Sequence, residues 1–152
     1  MILTEIPQIF SFFTDEIVSS DVLQPDEKPL TAGFMKERLQ TFAAGRFCAR
    51  HAMQLMGLPD APILVGKDRA PVWPKGLAGS ISHTQGMAGA MVSSLSHYPS
   101  IGLDIERRGV VHRNLWHLLF DELEQQQILR AEIPDNQATL YFSLKEAYYK
   151  MQ

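Results

Sequence analysis

Cysteine is nearly absent from this chain, whose 152 residues include a single one, Cys48. One cysteine excludes an internal disulfide, and this is typical of proteins that work in a reducing compartment. Cys48 lies beside Phe47 and Ala49 in a helical apolar pattern. A free cysteine in such a pattern is more often a small buried side chain than a nucleophile, so we expect a buried thiol.

The chain also lacks long apolar runs and an excess of charge of one sign. No uninterrupted apolar run approaches the ~20 residues that a membrane-spanning helix needs. The formal net charge of -3 gives no general attraction to nucleic acid or to anionic membranes. Residues 1–7 lack the basic start and the cleavage signal of a secretory peptide. These absences predict a soluble, cytoplasmic protein that binds any anionic ligand through a local cluster of Lys, Arg and His.

Apolar patterns divide the chain into helices and strands. Hydrophobic residues make up 45% of the sequence, which is enough to form a core without cross-links. Apolar residues at three- and four-residue steps predict a helix over residues 33–56. Small apolar residues predict a buried strand over 86–92, and residues 101–106 alternate like another strand. Helical patterns also cover 114–130 and 136–151, and this interleaving favours the α+β class.

Two acidic residues, Asp104 and Glu106, are the first candidates for chemistry. Residues two apart on a strand project from the same face, so both carboxylates would point one way. Like charges held this close repel unless a cation lies between them or one carboxylate takes up a proton. Magnesium, which binds carboxylate, water and phosphate oxygens, would satisfy both. Taken alone the pair also fits a solvent-facing acidic edge, and that alternative stays open.

Glu146 and Lys150 form a second candidate pair. They lie one helical turn apart and share a face of the last predicted helix. The functional interpretation gives Glu146 to the metal and Lys150 to a neighbouring phosphate oxygen. The alternative is a simple surface salt bridge, worth only about 0.3–0.5 kcal/mol.

Ser82 and His83 belong to a third candidate segment, residues 79–84. The hydroxyl and imidazole groups can donate hydrogen bonds to phosphate, and a bend there would expose backbone N–H groups. The alternative is the end of a core strand, at which His83 satisfies a carbonyl group.

Several segments, taken together and in order, resemble a known family. They are residues 34–50, PVWPKG at 71–76, GSISH at 79–83, IGLDIE at 101–106 and FSLKEAYYK at 142–150. The series resembles the 4′-phosphopantetheinyl transferases of the type that activates enterobactin and surfactin synthetases. The resemblance extends from about Leu23 to the last residue.

The resemblance implies an α+β fold of two similar lobes, a pseudo-dimer with coenzyme A bound in the cleft between them. We expect residues 1–98 to form the first lobe and residues 99–152 part of the second. Family members usually continue with further strands, so the resemblance predicts that a C-terminal segment is lacking here. Such enzymes are usually monomers. They transfer the 4′-phosphopantetheine group of coenzyme A to a serine of an acyl, aryl or peptidyl carrier protein, as in siderophore biosynthesis, and release adenosine 3′,5′-bisphosphate.

The resemblance also implies roles for individual residues. The expected ligands of Mg²⁺, which the residue types do not distinguish from Mn²⁺, are Asp104, Glu106 and Glu146. The expected contacts to coenzyme A come from Ser82, His83, Lys150, Arg46, Arg50 and Arg69. Among these arginines, Arg50 matches a family position that binds the 3′-phosphate.

Catalysis by the family's reaction would involve Glu146, Lys150 and a carboxylate base. Glu124 lies near the family's candidate base, but Glu122 is close enough that the choice between them stays open, as does a solvated helix face for both. Carrier proteins are typically acidic, so basic residues could steer one toward the site. The candidates for this steering are Arg107, Arg108 and Arg113.

Two other functions fit parts of the pattern. One is a truncated, catalytically inactive relative that still binds coenzyme A or a carrier protein. The other, from a different class, is a metal-dependent nuclease, because an Asp, a Glu and a nearby Lys also serve phosphodiester cleavage. The acidic charge balance and the absence of a basic stripe count against the nuclease.

Overall fold

The structure, a computed structural model, describes residues 6–151. It contains both helices and an antiparallel sheet, so the α+β prediction is confirmed at that level. The expected lack of a secretory signal depends largely on residues 1–5, which lie outside the described residues. None of the helices between residues 6 and 151 combines the length and the apolar character that crossing a bilayer requires.

The strands form one three-stranded antiparallel sheet and one short two-stranded sheet. The strands are β1 Phe10–Thr14, β2 Leu64–Val65, β3 Pro71–Val72, β4 Leu77–Thr84 and β5 Met87–Ser94. In the larger sheet β5 lies in the middle, between β1 and β4, with Phe10 opposite Val92 and Ser80 opposite Met91. The predicted buried strand over residues 86–92 is confirmed as β5.

Helix α1, Lys36–Leu55, packs across this sheet and forms the main core with it. Small residues make the close approach possible, because a Cβ added at Gly45 would lie 2.8 Å from Ile81 Cγ2. Cys48 is fully buried in this core, as predicted, and burial raises the pKa of its thiol to about 11. The thiol is therefore protonated at neutral pH and is not a nucleophile.

A second, smaller core lies around Trp116, Phe120 and Ile128. The helices that build it are α2 Trp116–Leu119, α3 Glu122–Leu129 and α4 Pro134–Tyr149. The continuous helix predicted over residues 114–130 is wrong, because Phe120 adopts an extended backbone and Asp121 starts a new helix. Asp121 Oδ1 accepts from the Glu124 N–H at 2.8 Å, and Glu124 Oε2 accepts from the Asp121 N–H at 2.9 Å. This capping box stabilises the separate start of α3.

A buried ion pair fixes the chain before α1 to that helix. Glu27 is fully buried, and its carboxylate accepts two hydrogen bonds from Arg50 Nη1, at 3.0 and 2.8 Å. The same carboxylate accepts from the Ile63 N–H at 2.9 Å and from the Gln24 N–H at 3.0 Å. Arg50 Nη2 also donates to the Val22 carbonyl. The pair therefore links three separate stretches of chain.

Breaking this pair from the carboxylate side should strongly destabilise the fold. Glu27→Gln leaves the buried Arg50 charge without its counter-charge, and we expect a loss of about 3–5 kcal/mol in the free energy of unfolding. The matched control is Asp60→Asn, because Asp60 Oδ1 lies 3.4 Å from Arg50 Nε but is 54% exposed. In urea unfolding, the free energy of unfolding of the control variant should fall by less than about 1 kcal/mol. Equal losses in the two variants would contradict this account.

Candidate active site around Asp104

Residues 101–106 lie beside β4 without forming the strand that their alternation predicts. The reason is that amide groups of this segment donate to side chains of β4. Leu103 N–H donates to Ser80 Oγ at 3.0 Å, and Ile105 N–H donates to Ser82 Oγ at 3.1 Å. Side-chain hydroxyls of β4 thus take the place of the carbonyl acceptors in a strand ladder. This segment, which we call the acidic segment, is held to the sheet edge by two serines.

Asp104 is the residue at which the acidic segment, β4 and α4 meet. Its Oδ1 lies 2.7 Å from Lys150 Nζ and 3.3 Å from the donating Ser82 Oγ. Its Oδ2 accepts from Ser143 Oγ at 2.8 Å. Lys150 Nζ also donates to Ser82 Oγ at 3.2 Å and to the Leu103 carbonyl at 3.1 Å. The Asp104 side chain is 6% exposed, so these donors compensate a buried charge.

Gly102 allows α4 to come this close. A Cβ on residue 102 would overlap the Ala147 carbonyl of α4 and lie 2.8 Å from Met151 Cγ. The requirement is for space, since the backbone at this position does not need a left-handed conformation. The last turn of α4 therefore packs directly on the acidic segment, which lets Lys150 reach Asp104.

Two titratable side chains near Asp104 have altered pKa values. Burial raises the pKa of Glu106, and the negative charges of Asp104 and Glu146 raise it further against the opposing effect of Lys150. Burial lowers the pKa of His83, and the positive charge of Lys150 lowers it further, while Asp104 opposes this. Both shifts favour the neutral form. These charge effects also show that the predicted acidic residues lie within electrostatic range of one another.

The three predicted metal ligands, Asp104, Glu106 and Glu146, come near each other without forming a cage. Between residues 6 and 151, no three His, Cys, Asp or Glu side chains converge into a preformed metal site. The donor set still fits Mg²⁺, which commonly binds one or two carboxylates and completes its coordination with water and phosphate oxygens. Burial is the largest cause of the raised pKa of Glu106, the charges of Asp104 and Glu146 add to it, and a cation bound among these carboxylates would oppose it.

Arg46 and Arg50, expected to contact coenzyme A, have their hydrogen bonds elsewhere. Arg50 takes part in the buried pair with Glu27. Arg46 Nε donates to the Ile63 carbonyl at 2.7 Å, and its guanidinium lies 4.2 Å from the centre of the Phe42 ring. Burial lowers the pKa of Arg46 to about 10. Both guanidinium groups thus use part of their hydrogen-bonding capacity in buried contacts, and their roles in binding coenzyme A stay predictions.

Arg69 lies in a different setting, on the wall of an open cleft of about 640 Å³ that Ser80, Trp73 and Lys150 also line. The residue is exposed and has a left-handed backbone, with φ of 67°. Its N–H donates to the Gly66 carbonyl at 3.0 Å, which closes a tight turn around this conformation. The structure thus brings Arg69 and Lys150, two of the predicted phosphate contacts, to one cleft.

The predicted base Glu124 is engaged in local contacts. Besides its part in the capping box with Asp121, its Oε2 accepts from Lys145 Nζ at 2.7 Å. Lys145 Nζ also donates to the Leu119 carbonyl at 3.0 Å and lies 5.2 Å from the centre of the Phe120 ring. Glu122, the alternative base, is exposed on the same helix. The contacts give Glu124 a fixed position, and its catalytic role stays a prediction.

Three residues of this region were not expected from the sequence: Ser80, Ser143 and Lys145. Ser143 and Lys145 belong to the segment FSLKEAYYK, but the two acceptors, Asp104 and Glu124, are distant in sequence. A signal was available for Ser143, because it precedes Glu146 by three residues and so shares a helix face with it. No spacing rule could have shown which carboxylate its hydroxyl contacts.

Two family models match the chain. The model described as the 4′-phosphopantetheinyl transferase N-terminal domain matches residues 26–93. The model described as the 4′-phosphopantetheinyl transferase superfamily matches residues 100–152. Ser82 and His83 fall within the first match, and Asp104, Glu146 and Lys150 fall within the second.

Curated proteins resemble the chain over most of its length. It is 36% identical to 4′-phosphopantetheinyl transferase Svp of Streptomyces mobaraensis, over 93% of the chain and 58% of that protein. It is 34% identical to 4′-phosphopantetheinyl transferase PptT of Mycobacterium tuberculosis, over 83% of the chain and 56% of that protein. Enterobactin synthase component D of Salmonella typhi is 36% identical over 76% of the chain and 48% of its own length. The chain thus spans about half the length of the curated relatives it matches.

The close packing at Gly102 predicts a local effect of a single methyl group. Gly102→Ala should push the last turn of α4 away from the acidic segment and destabilise the fold by about 1–3 kcal/mol, as overpacking does. Native-state hydrogen exchange should show faster exchange of the amides at the end of α4. Gly76→Ala is the control, since Gly76 has φ of 87° but nothing within 4 Å of an added Cβ. If α4 exchanges equally in both variants, the packing argument fails.

Proposed function

The chain belongs to the 4′-phosphopantetheinyl transferase superfamily, and we propose that it transfers the 4′-phosphopantetheine group of coenzyme A to a serine of a carrier protein. The reaction would be Mg²⁺-dependent and would release adenosine 3′,5′-bisphosphate. The proposed carriers are acyl, aryl or peptidyl carrier proteins, including those of siderophore biosynthesis, since enterobactin synthase components are among the relatives.

One observation carries the proposal, namely the hydrogen-bonded cluster of Asp104, Lys150 and Ser82, with the exposed His83 next to Ser82 on β4. The hydrogen bonds of Asp104 join a hydroxyl of β4 to an ammonium group at the end of α4. The cluster thereby combines groups of two kinds. Carboxylates suit a cation, whereas the ammonium, hydroxyl and imidazole groups suit phosphate oxygens. A pyrophosphate bound together with a cation needs both kinds side by side.

The proposed reaction is an attack of the serine Oγ on the β-phosphorus of coenzyme A. A bond forms between this oxygen and the phosphorus, and the bond from that phosphorus to the bridging oxygen of the pyrophosphate breaks. The departing group carries the bridging oxygen away as adenosine 3′,5′-bisphosphate. Negative charge increases on the phosphate oxygens during this step, so an ammonium group beside them, such as that of Lys150, would stabilise the transition state.

Lys150 must change its contacts to act in this way. Its ammonium group has three N–H donors, and Asp104, Ser82 and the Leu103 carbonyl already accept from it. Holding a phosphate oxygen requires the release of at least one of these. The side chain is 30% exposed, which gives it room to turn toward the cleft that Arg69 also lines.

Asp104, Glu106 and Glu146 are the proposed metal ligands. A Mg²⁺ held by these carboxylates would supply positive charge to balance the phosphate oxygens. The two glutamates are half-buried, and burial together with the negative charges of Asp104 and Glu146 raises the pKa of Glu106. The residues of this group thus supply negative charge that the described side chains only partly balance.

The serine must lose its proton as it attacks, and a carboxylate base would accept it. We propose Glu124 for this role, with Glu122 as the alternative on the same helix. The ion pair with Lys145 and the capping box hold the Glu124 carboxylate in one orientation. Its Oε1 is the oxygen that these contacts do not use.

The carrier protein would approach near the arginines that follow the acidic segment. Arg107 Nη1 donates to Gln85 Oε1 at 2.9 Å, and Arg113 lies 5.8 Å from the centre of the Trp116 ring. Arg108 lines the cleft that also contains Asp104 and Glu106. Basic groups beside the acidic segment would attract an acidic carrier toward the site.

Intact-mass spectrometry tests the proposed transfer. Apo carrier proteins from siderophore, fatty-acid and polyketide systems are incubated separately with the chain, coenzyme A and Mg²⁺. We expect at least one carrier to gain the mass of one phosphopantetheine. Asp104→Ala and Glu146→Ala should lower the initial rate by at least about tenfold. Asp26→Ala, which removes an exposed carboxylate elsewhere, should leave the rate unchanged.

Calorimetric titration of the same samples with coenzyme A separates the alternatives. Transfer together with binding supports the proposal. Binding of coenzyme A with no mass gain on any carrier would contradict the transferase and favour a binding protein. A rate that persists without divalent cations would contradict the proposed metal ligands.

A further inference from the structure

Ser143 lies on α4 and contacts the acidic segment through its side chain. Its Oγ donates to Asp104 Oδ2 at 2.8 Å, and the side chain is half-buried. The donor comes from a helix, whereas the acceptor is 39 residues earlier in the chain. A hydrogen bond to a charged group contributes more to stability than one between neutral groups. The contact is therefore strong enough to select one orientation of the carboxylate.

The two oxygens of Asp104 have different partners. Oδ1 accepts from Lys150 and Ser82, whereas Oδ2 accepts from Ser143. Ser143 and Asp104 line a cleft of about 810 Å³ together with Glu106, and Lys150 lines the other cleft. Ser143 thus binds one oxygen of Asp104, a residue that lines the same cleft as the second acidic residue, Glu106.

We propose that Ser143 is a positioning residue for the cation site, an inference that rests on the proposed function. Its hydroxyl holds the Asp104 carboxylate in one orientation. This prevents a rotation that would let both carboxylate oxygens pair with Lys150. In the rotated orientation the ammonium would compete with a cation for the same oxygens. With Ser143 in place, Oδ2 keeps a lone pair for a cation, because one hydrogen bond uses only part of its acceptor capacity.

The same hydrogen bond sets the position of Glu146. Ser143 precedes Glu146 by three residues, and residues three apart on a helix are neighbours on its surface. A contact from Ser143 to Asp104 therefore fixes the distance between α4 and the acidic segment at the turn that carries Glu146. Groups that orient metal ligands in this way typically change metal affinity when they are removed.

The test measures Mn²⁺ binding to the chain alone by the electron paramagnetic resonance signal of the free ion. Ser143→Ala should weaken Mn²⁺ binding by about tenfold. Ser143→Thr keeps the hydroxyl and should restore most of the affinity. Tyr148→Phe, which removes an exposed hydroxyl from the same helix, should bind Mn²⁺ like the unchanged chain. Alanine is a better helix former than serine, so Ser143→Ala should fold, and circular dichroism checks this.

Carrier loading by intact mass is measured on the same four proteins. Unchanged Mn²⁺ affinity in Ser143→Ala, while the unchanged chain binds Mn²⁺ and loads a carrier, would overturn the role of Ser143 and leave the proposed function standing. The role of Ser143 would also be overturned if Ser143→Thr weakened Mn²⁺ binding as much as Ser143→Ala does. If the unchanged chain neither binds Mn²⁺ nor loads a carrier, the proposed function fails and this inference fails with it.

Discussion

Burial of one negative charge, the carboxylate of Asp104, sets the arrangement of the candidate site. A buried carboxylate is strongly unfavourable unless charged or polar donors surround it. Here the donors are Ser82 on β4, Ser143 on α4, and Lys150, which directly follows α4. Residues far apart in sequence must therefore meet at one point. The space for this meeting is provided by Gly102, where any side chain would overlap α4.

The same physical constraint operates in the C-terminal half of α1. Glu27 and Arg50 form a buried pair whose remaining acceptors and donors bind backbone groups at Gln24, Ile63 and Val22. Between residues 6 and 151, no buried side-chain nitrogen or oxygen is left without a hydrogen-bond partner. The Glu27–Arg50 and Asp104–Lys150 pairs differ in their exposure to solvent. The Glu27 pair is closed to solvent and holds loops to the core, whereas Asp104 and Lys150 each line an open cleft.

Local patterns in the sequence predict much of the fold. The apolar steps of α1 and the small residues of β5 are strong signals, because both elements lie in the main core. The alternation over residues 101–106 predicts a strand wrongly, since periodicity cannot show that Ser80 and Ser82 would accept the amide hydrogens. The break before α3 was missed because the capping signal at Asp121 lies inside a helical pattern.

The candidate site was predictable in part. Like charges at Asp104 and Glu106 predict a cation between them, and this assignment stays a prediction. The partner of Arg50 could not be predicted, because Glu27 is 23 residues away with no regular spacing between them. The contact between Ser143 and Asp104 could not be predicted either, because these two residues are also far apart in sequence. Side chains that orient other side chains are determined by tertiary packing, which a single sequence does not display.

A double-mutant cycle on Asp104 and Lys150 tests most directly whether the Asp104 cluster joins α4 to the acidic segment. The free energies of urea unfolding are measured for the unchanged chain, Asp104→Asn, Lys150→Met and the double variant. The account predicts a coupling energy of about 1 kcal/mol or more, because the two groups are in contact and Asp104 is buried. Additive effects, within about 0.3 kcal/mol, would contradict it and would mean that the two side chains do not depend on each other.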